Sequence, residues 1–159
     1  MSKIIKVELL QDGKLPIKAH KTDAGFDLFA SDDFWVHPGQ VVKHPLNVRL
    51  SLPESTYAEI TSKSGNGSKG LLVYAGIIDE SYRGIIHVVM TNLNHRPHYP
   101  TPESQPVLVP GDSLHFLQGQ KIAQMIMHPY SNDYVIEQVY QIDQNTPRGS
   151  GGFGSSGSF

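Results

Sequence analysis

No stretch of this chain runs far enough without a glycine or a proline to sustain a helical period of useful length. Fifteen glycines and eleven prolines are spread through its 159 residues, and each weakens or breaks a helix. What lies between them is short and β-type, bounded by turn residues. Such segments run over 3–10, 41–42, 47–52, 57–61, 71–74, 85–91, 114–117, 122–127 and 134–139. In the third of them Val48, Leu50 and Leu52 alternate with Arg49 and Ser51, the pattern of a strand with one buried face. Many short strands at a spacing of roughly 8–12 residues predict an all-β sandwich, jelly roll or barrel. The length suits one domain with its own core.

Two segments break the rhythm. Ser62 to Gly70 reads S-K-S-G-N-G-S-K-G, too rich in glycine for a strand and too poor in helix formers for a long helix. Asn94 to Gly111 carries prolines 97, 100, 102, 106 and 110. Proline cannot donate to a ladder, so an irregular surface excursion is expected there.

Charge and composition exclude several functions. The formal net charge is −2, so no overall basic field favours direct nucleic-acid binding, and local groups must hold any anion. The absence of cysteine excludes disulfides, thiolate catalysis and cysteine metal sites. The first ten residues, with apolar runs broken by Lys6 and Glu8, fit neither a signal peptide nor a membrane span. A cytoplasmic location is expected, in a host cell if the source is viral.

Four places offer chemistry. The tail, R-G-S-G-G-F-G-S-S-G from Arg148 to Gly157, holds one cation and one aromatic ring in a glycine-serine ribbon. It is either a disordered end or a segment that folds over a nucleotide, with the guanidinium on phosphate and the ring on a base. Asp79 stands between an apolar strand end and a polar turn with Tyr82 and Arg83. Such an aspartate either orients and deprotonates a water or merely closes an Asx turn. The loop with Lys63, Ser64 and Lys69 has the ingredients of an anion nest or of a solvated loop, and it lacks the order of a Walker A motif. In Gly119 to Ile126, simple alternation puts Lys121 and Ala123 on one face and Gln124 on the other with Ile122 and Ile126. A buried glutamine there needs a partner. His95 and His98 flank Pro97, which removes the helix that usually presents a histidine metal pair. No H-E-x-x-H is present.

Taken in order, five segments resemble the motifs of the homotrimeric dUTPase (dUTP diphosphatase) family. They are A-G-F-D-L (Ala24 to Leu28), S-K-S-G (Ser62 to Gly65), Gly76 to Gly84, G-Q-K-I-A-Q (Gly119 to Gln124) and Arg148 to Gly157. The resemblance covers almost the whole chain. It implies a distorted jelly-roll or β-clip barrel over 1–146 and a flexible tail, 147–159, that closes over the site. It also implies a homotrimer with shared sites, hydrolysis of dUTP to dUMP and pyrophosphate, and Mg2+ as cofactor. Carried over, Asp79 would be the general base and Tyr82 would pack on the deoxyribose. The backbone from Val73 through Gly76 to Ile78 would read the uracil edge. Lys63, Ser64, Gly65, Lys121 and Gln124 would meet the phosphates, and Asp27 would hold the magnesium hydration shell through water. Phe153 would cover the base, while Arg148, Gly154, Ser155 and Ser156 would cradle the outer phosphates.

The chain departs from the family pattern at the phosphate end. Lys63 and Lys121 stand where arginines are usual, Ser62 where proline is, and Gln120 where an acidic residue is frequent. Lysine keeps the charge and loses the planar fork, so differently arranged triphosphate contacts are expected. The stretch 93–118 is longer than most members allow, and is either a solvated insert or a surface for a protein partner. The alternatives to dUTP hydrolysis are a dCTP deaminase of the same fold and a dUTP-sensing regulator, non-catalytic or with both roles.

Overall fold

A computed structural model describes residues 3–74, 76–98, 105, 107–143 and 145–147. The strands in chain order are β1 (Lys6–Leu9), β2 (Gly25–Phe29), β3 (Phe34–Val36), β4 (Val41–Pro45), β5 (Val48–Ser51) and β6 (Thr56–Thr61). After the single helical turn α1 (Ser64–Gly67) come β7 (Leu71–Tyr74), β8 (Ile77–Ile78), β9 (His87–Asn92), β10 (His95–His98), β11 (Val107–Pro110), β12 (Leu114–Phe116) and β13 (Lys121–Pro129). The all-β expectation is met.

The two larger sheets have the strand orders β2-β13-β6-β8 and β4-β9-β7, with neighbouring strands antiparallel. Pairs β1-β5, β3-β12 and β10-β11 complete the set among the described residues. Strand alternation fills the space between the sheets. Thr56, Ala58 and Ile60 of β6 point inward, as do Val48 and Leu50 of β5. They meet Leu28, Leu71, Val88, Met90, Ile122 and Met125 in one apolar core. Asn92 is fully buried, and both ends of its side-chain amide are hydrogen-bonded. Its Nδ2 donates to the carbonyls of Val36 (3.0 Å) and Asp112 (2.9 Å), and its Oδ1 accepts from the amide of Asn94.

Three expectations need correction. The proline-rich stretch is not wholly irregular: β10 and β11 pair antiparallel, with Pro97 opposite Leu108 and His95 opposite Pro110. A two-stranded ribbon has two outer edges, and a proline facing an outer edge removes no ladder bond. Residues 134–139 form no strand. Their apolar side chains are exposed, Ile136 completely, so the β-type composition finds no ladder partner within the described chain. In β13, alternation fails between Lys121 and Ala123, where a bulge shifts the register against β2. Among the described residues the last strand ends at Pro129, and the tail expected over 147–159 lies outside the described residues beyond position 147.

Candidate active site

β8 is only two residues long, yet its position is fixed. Ile78 pairs with Ala58 and Ile77 with Glu59. The amide of Ile60 donates to the carbonyl of Gly76 at 2.7 Å. A Cβ on Gly76 would stand 2.1 Å from the Ile60 carbonyl oxygen, so only glycine permits this approach.

Asp79 follows β8 directly, at the start of a turn closed by the Tyr82 amide donating to the Asp79 carbonyl at 3.1 Å. The turn is anchored from outside by Glu80. Its Oε2 accepts from the amide of Ser55 and from the hydroxyl of Tyr130, both at 2.8 Å. Those two bonds, first Tyr130 and then Ser55, outweigh slight burial and, helped by the charge of Arg83, hold the Glu80 carboxyl below the usual range. The same bond pushes the Tyr130 phenol up. Arg83 donates to the carbonyls of Glu80 (2.7 Å) and Tyr82 (2.8 Å) and closes the far side of the turn. Tyr82 folds back over Gly84, its hydroxyl donating to the Ile85 carbonyl at 3.2 Å.

Two clefts open on either side of Asp79. One of about 220 Å3 has apolar walls from Ile77, Ile78, Ile85 and Val89, with Lys43, His87, Tyr82 and Asp79 at its polar edge. The other, about 450 Å3, lies between Tyr57, Ile77 and Tyr130, with Glu80, Ser81 and Asn132. The smaller sets four aliphatic side chains against convergent polar groups, a mixture that can take a flat, polar-edged ring.

A second cluster lies at the other end of β6. Gln124 of β13 is paired with Asp27 of β2 on one side and with Thr61 of β6 on the other. Lys63 follows β6 and contacts Asp27 Oδ1, while Lys121 Nζ lies 2.6 Å from Asp27 Oδ2. Burial pushes the Asp27 carboxyl up, but its hydrogen bonds to Lys121 and Lys63 and their charges win and hold it below the usual range. Gln124 Nε2 donates to the Ser62 carbonyl at 2.9 Å, which is the partner that a half-buried glutamine requires. Gly25 leaves room for it, since a Cβ there would be 2.8 Å from Gln124 Oε1. The Ser62 hydroxyl accepts from the amide of Val73 at 2.9 Å and so ties this cluster to the strand leading toward Gly76.

The site residues expected from the sequence therefore fall into two groups. Ile78, Asp79 and Tyr82 stand together, and Asp27, Lys63, Ser64, Gly65, Lys121 and Gln124 stand together, with Val73 and Gly76 on the path between. Thr61 and Ala58 mark the two groups on β6, three residues or roughly 10 Å apart. No hydrogen bond or ion pair among the described residues joins Asp79 to the lysine cluster. Arg148, Phe153, Gly154, Ser155 and Ser156 lie outside the described residues. Glu80, Ser55 and Tyr130 carry the turn and were not marked by any motif.

A dUTPase family model matches residues 11–99. The chain is 34% identical over 156 residues, 98% of its length, to the Pol polyprotein of Ovine maedi visna related virus (strain South Africa), and it spans 13% of that polyprotein. It is 34% identical over 157 residues to the deoxyuridine 5'-triphosphate nucleotidohydrolase of Clostridium tetani (strain Massachusetts / E88), covering 96% of each chain. Among solved structures, a mutant dUTPase of Staphylococcus bacteriophage 80alpha with dUpNHpp aligns with a TM-score of 0.81 at 28% identity, covering 97% of this chain and 98% of that one.

Proposed function

The chain belongs to the dUTPase family, and from that membership we propose that it is a dUTP diphosphatase in which Asp79 activates the attacking water. The observation that carries this reading is the place of Asp79, held on an anchored turn at the polar edge of an apolar cleft that Tyr82 also lines. The water oxygen bonds to the α-phosphorus, the bond to the bridging oxygen breaks, and pyrophosphate leaves. The water's proton passes to the Asp79 carboxylate. Such a reaction needs position and charge more than a special nucleophile.

The base enters between the apolar walls, and the Tyr82 ring meets the sugar where a ribose would carry its extra hydroxyl. The backbone from Val73 through Gly76 to Ile78 reads the pyrimidine edge. Loose apolar contact distinguishes a methyl group by only about 1–3 kcal/mol. A rigid backbone that collides with the thymine methyl adds repulsion to that difference. Lys63, Ser64, Gly65, Lys121 and Gln124 receive the phosphates. Because they stand apart from Asp79 within one chain, a homotrimer with sites shared between copies is part of the proposal. The exposed apolar side chains of Val135, Ile136, Tyr140 and Ile142 support association. Arg148, Phe153, Gly154, Ser155 and Ser156 are proposed to close over the bound nucleotide, in a cytoplasm that supplies dUTP.

Magnesium is the cofactor the family implies. Among the described residues no group of three His, Asp or Glu side chains could hold a metal ion, and both oxygens of Asp27 face ammonium groups. Asp27 therefore does not fit as its holder here, and no step is routed through a metal. Phosphate oxygens and water are the donors that Mg2+ prefers.

The test is incubation with dUTP, dCTP, dTTP and UTP in turn, assaying pyrophosphate and ammonia. Pyrophosphate from dUTP alone is expected. Asp79→Asn should lower kcat by about 10^2–10^4-fold, the usual worth of a general base, and leave KM nearly unchanged. Ammonia from dCTP would transfer the chain to deaminase chemistry, and dUTP binding without turnover would make it a sensor.

A further inference from the structure

We propose that Asp27 is a positioning residue that clamps Lys63 and Lys121 together for the triphosphate. The inference rests on the reading of this face as the phosphate site. Asp27 is almost completely buried, and its backbone is pinned on both flanks. On one side β13 pairs with it through Gln124. On the other its amide donates to the Ile17 carbonyl at 2.7 Å. The carboxylate is thus a fixed point, whereas each lysine is a flexible stem ending in a point charge. Lys63 arrives from the end of β6 and Lys121 from the start of β13, and each takes a different oxygen of the same carboxylate.

The bulge in β13 is what makes this possible. Strict alternation would send Lys121 and Gln124 to opposite faces. The register shift between Lys121 and Ala123 sets Lys121 opposite Phe29, two residues from Asp27 and on the same face. Two ammonium groups left alone at this separation would repel each other and swing into solvent. A shared carboxylate holds both near one place and leaves the cluster with one net positive charge for an incoming anion. It supplies through a third residue the orientation that a guanidinium fork carries in itself.

The test compares nucleotide affinity by calorimetry in the full-length protein. The probes are dUMP, dUTP in EDTA, and the imido analogue dUpNHpp with Mg2+. Asp27→Asn is expected to weaken dUTP and dUpNHpp about ten-fold, with and without Mg2+, and to change dUMP by less than about two-fold. In a Lys63→Met, Lys121→Met background the same substitution should have no further effect. Tighter triphosphate binding by Asp27→Asn would overturn the proposal by reducing Asp27 to a screen of the two charges. Weakening confined to Mg2+ would overturn it in favour of a metal-shell role, and so would an undiminished loss in the double-lysine background.

A wild-type protein that binds dUTP no better than dUMP would overturn the reading of the face itself. Nitrogen NMR of the lysine ammonium groups in the ligand-free wild type tests the clamp separately, and does so even if Asp27→Asn fails to fold. Lys63 and Lys121 should show slowed proton exchange and restricted motion beside Lys3 and Lys21. Equal mobility of all four would overturn the clamp whatever the nucleotide does.

Discussion

A Cβ on Gly84 would lie 2.3 Å from the Tyr82 hydroxyl, and one on Gly76 would lie 2.1 Å from the Ile60 carbonyl oxygen. The distances are alike and the consequences differ, because a ring can swing away and a paired backbone cannot. Gly84→Ala should leave stability within about 0.5 kcal/mol, as surface changes do, while displacing Tyr82. Its signature is a raised KM for dUTP and weaker discrimination against UTP; unchanged discrimination would remove Tyr82 from the sugar pocket. Gly76→Ala should cost about 1–3 kcal/mol or more through overpacking, read as a lower urea midpoint. The acid dependence of stability belongs to this scale too. Glu80 titrates below its ordinary value in the folded chain. Its bonds to Tyr130 and Ser55 therefore stabilise fully above the ordinary glutamate pKa and lose that contribution as pH falls through the lower folded one. In urea midpoints followed from neutral pH into that acid window, Glu80→Gln should fall less than wild type; parallel curves would show that the anchor contributes nothing. Asp79 and Tyr82 were legible as a motif within one turn. Glu80 was not, since its partners are 25 and 50 residues away and no local spacing encodes them.

At the scale of elements, the sequence speaks clearly where a strand has one buried face and faintly elsewhere. Alternation marked β5, and short β-type runs bounded by turn residues marked β6 and β7, each within a residue or so. β2 escaped as a strand because G-F-D-L-F buries an aspartate, which breaks the apolar pattern and is tolerated only through two lysines from elsewhere. The face of Lys121 was misjudged because a bulge changes parity without leaving a sign in composition. The tie between β6 and β7 was hidden for a similar reason: Ser62, standing where the family usually has proline, lends its hydroxyl to the Val73 amide, a contact across 11 residues. Removing that acceptor leaves a donor on a buried residue, since Val73 is 7% exposed. Ser62→Ala should therefore cost about 1–3 kcal/mol, the penalty of an unsatisfied buried group. The loss should appear in hydrogen exchange as faster exchange at Val73 than at Met90. Equal protection at both amides would mean that another acceptor takes the place of the hydroxyl.

At the scale of the whole molecule, the two halves of the proposed chemistry do not meet among the described residues of one chain. Ile78, next to Asp79, pairs with Ala58 on β6, and Gln124 pairs with Thr61, roughly 10 Å along the strand. A water on the α-phosphorus cannot be served by Asp79 while the same nucleotide's phosphates rest on the Gln124 cluster unless the nucleotide spans that interval or a second copy supplies one half. The exposed run from Tyr134 to Ile142 favours the second copy, for apolar side chains so fully exposed are uncommon in a lone chain. Subunit mixing decides between the two. On the proposed roles, Asp79→Asn removes the base and Gln124→Ala a phosphate contact, so each homo-oligomer should be nearly inactive. If every site takes Asp79 from one copy and Gln124 from another, chains unfolded together at equal amounts and refolded should recover about a quarter of wild-type activity, because random assembly in a closed ring gives that share of sites both intact halves. If both residues serve a site from the same chain, no mixed assembly contains an intact site and activity should stay at the level of the parents. Sedimentation of the mixture shows that the chains have reassembled, so an inactive but assembled mixture would refute the shared site.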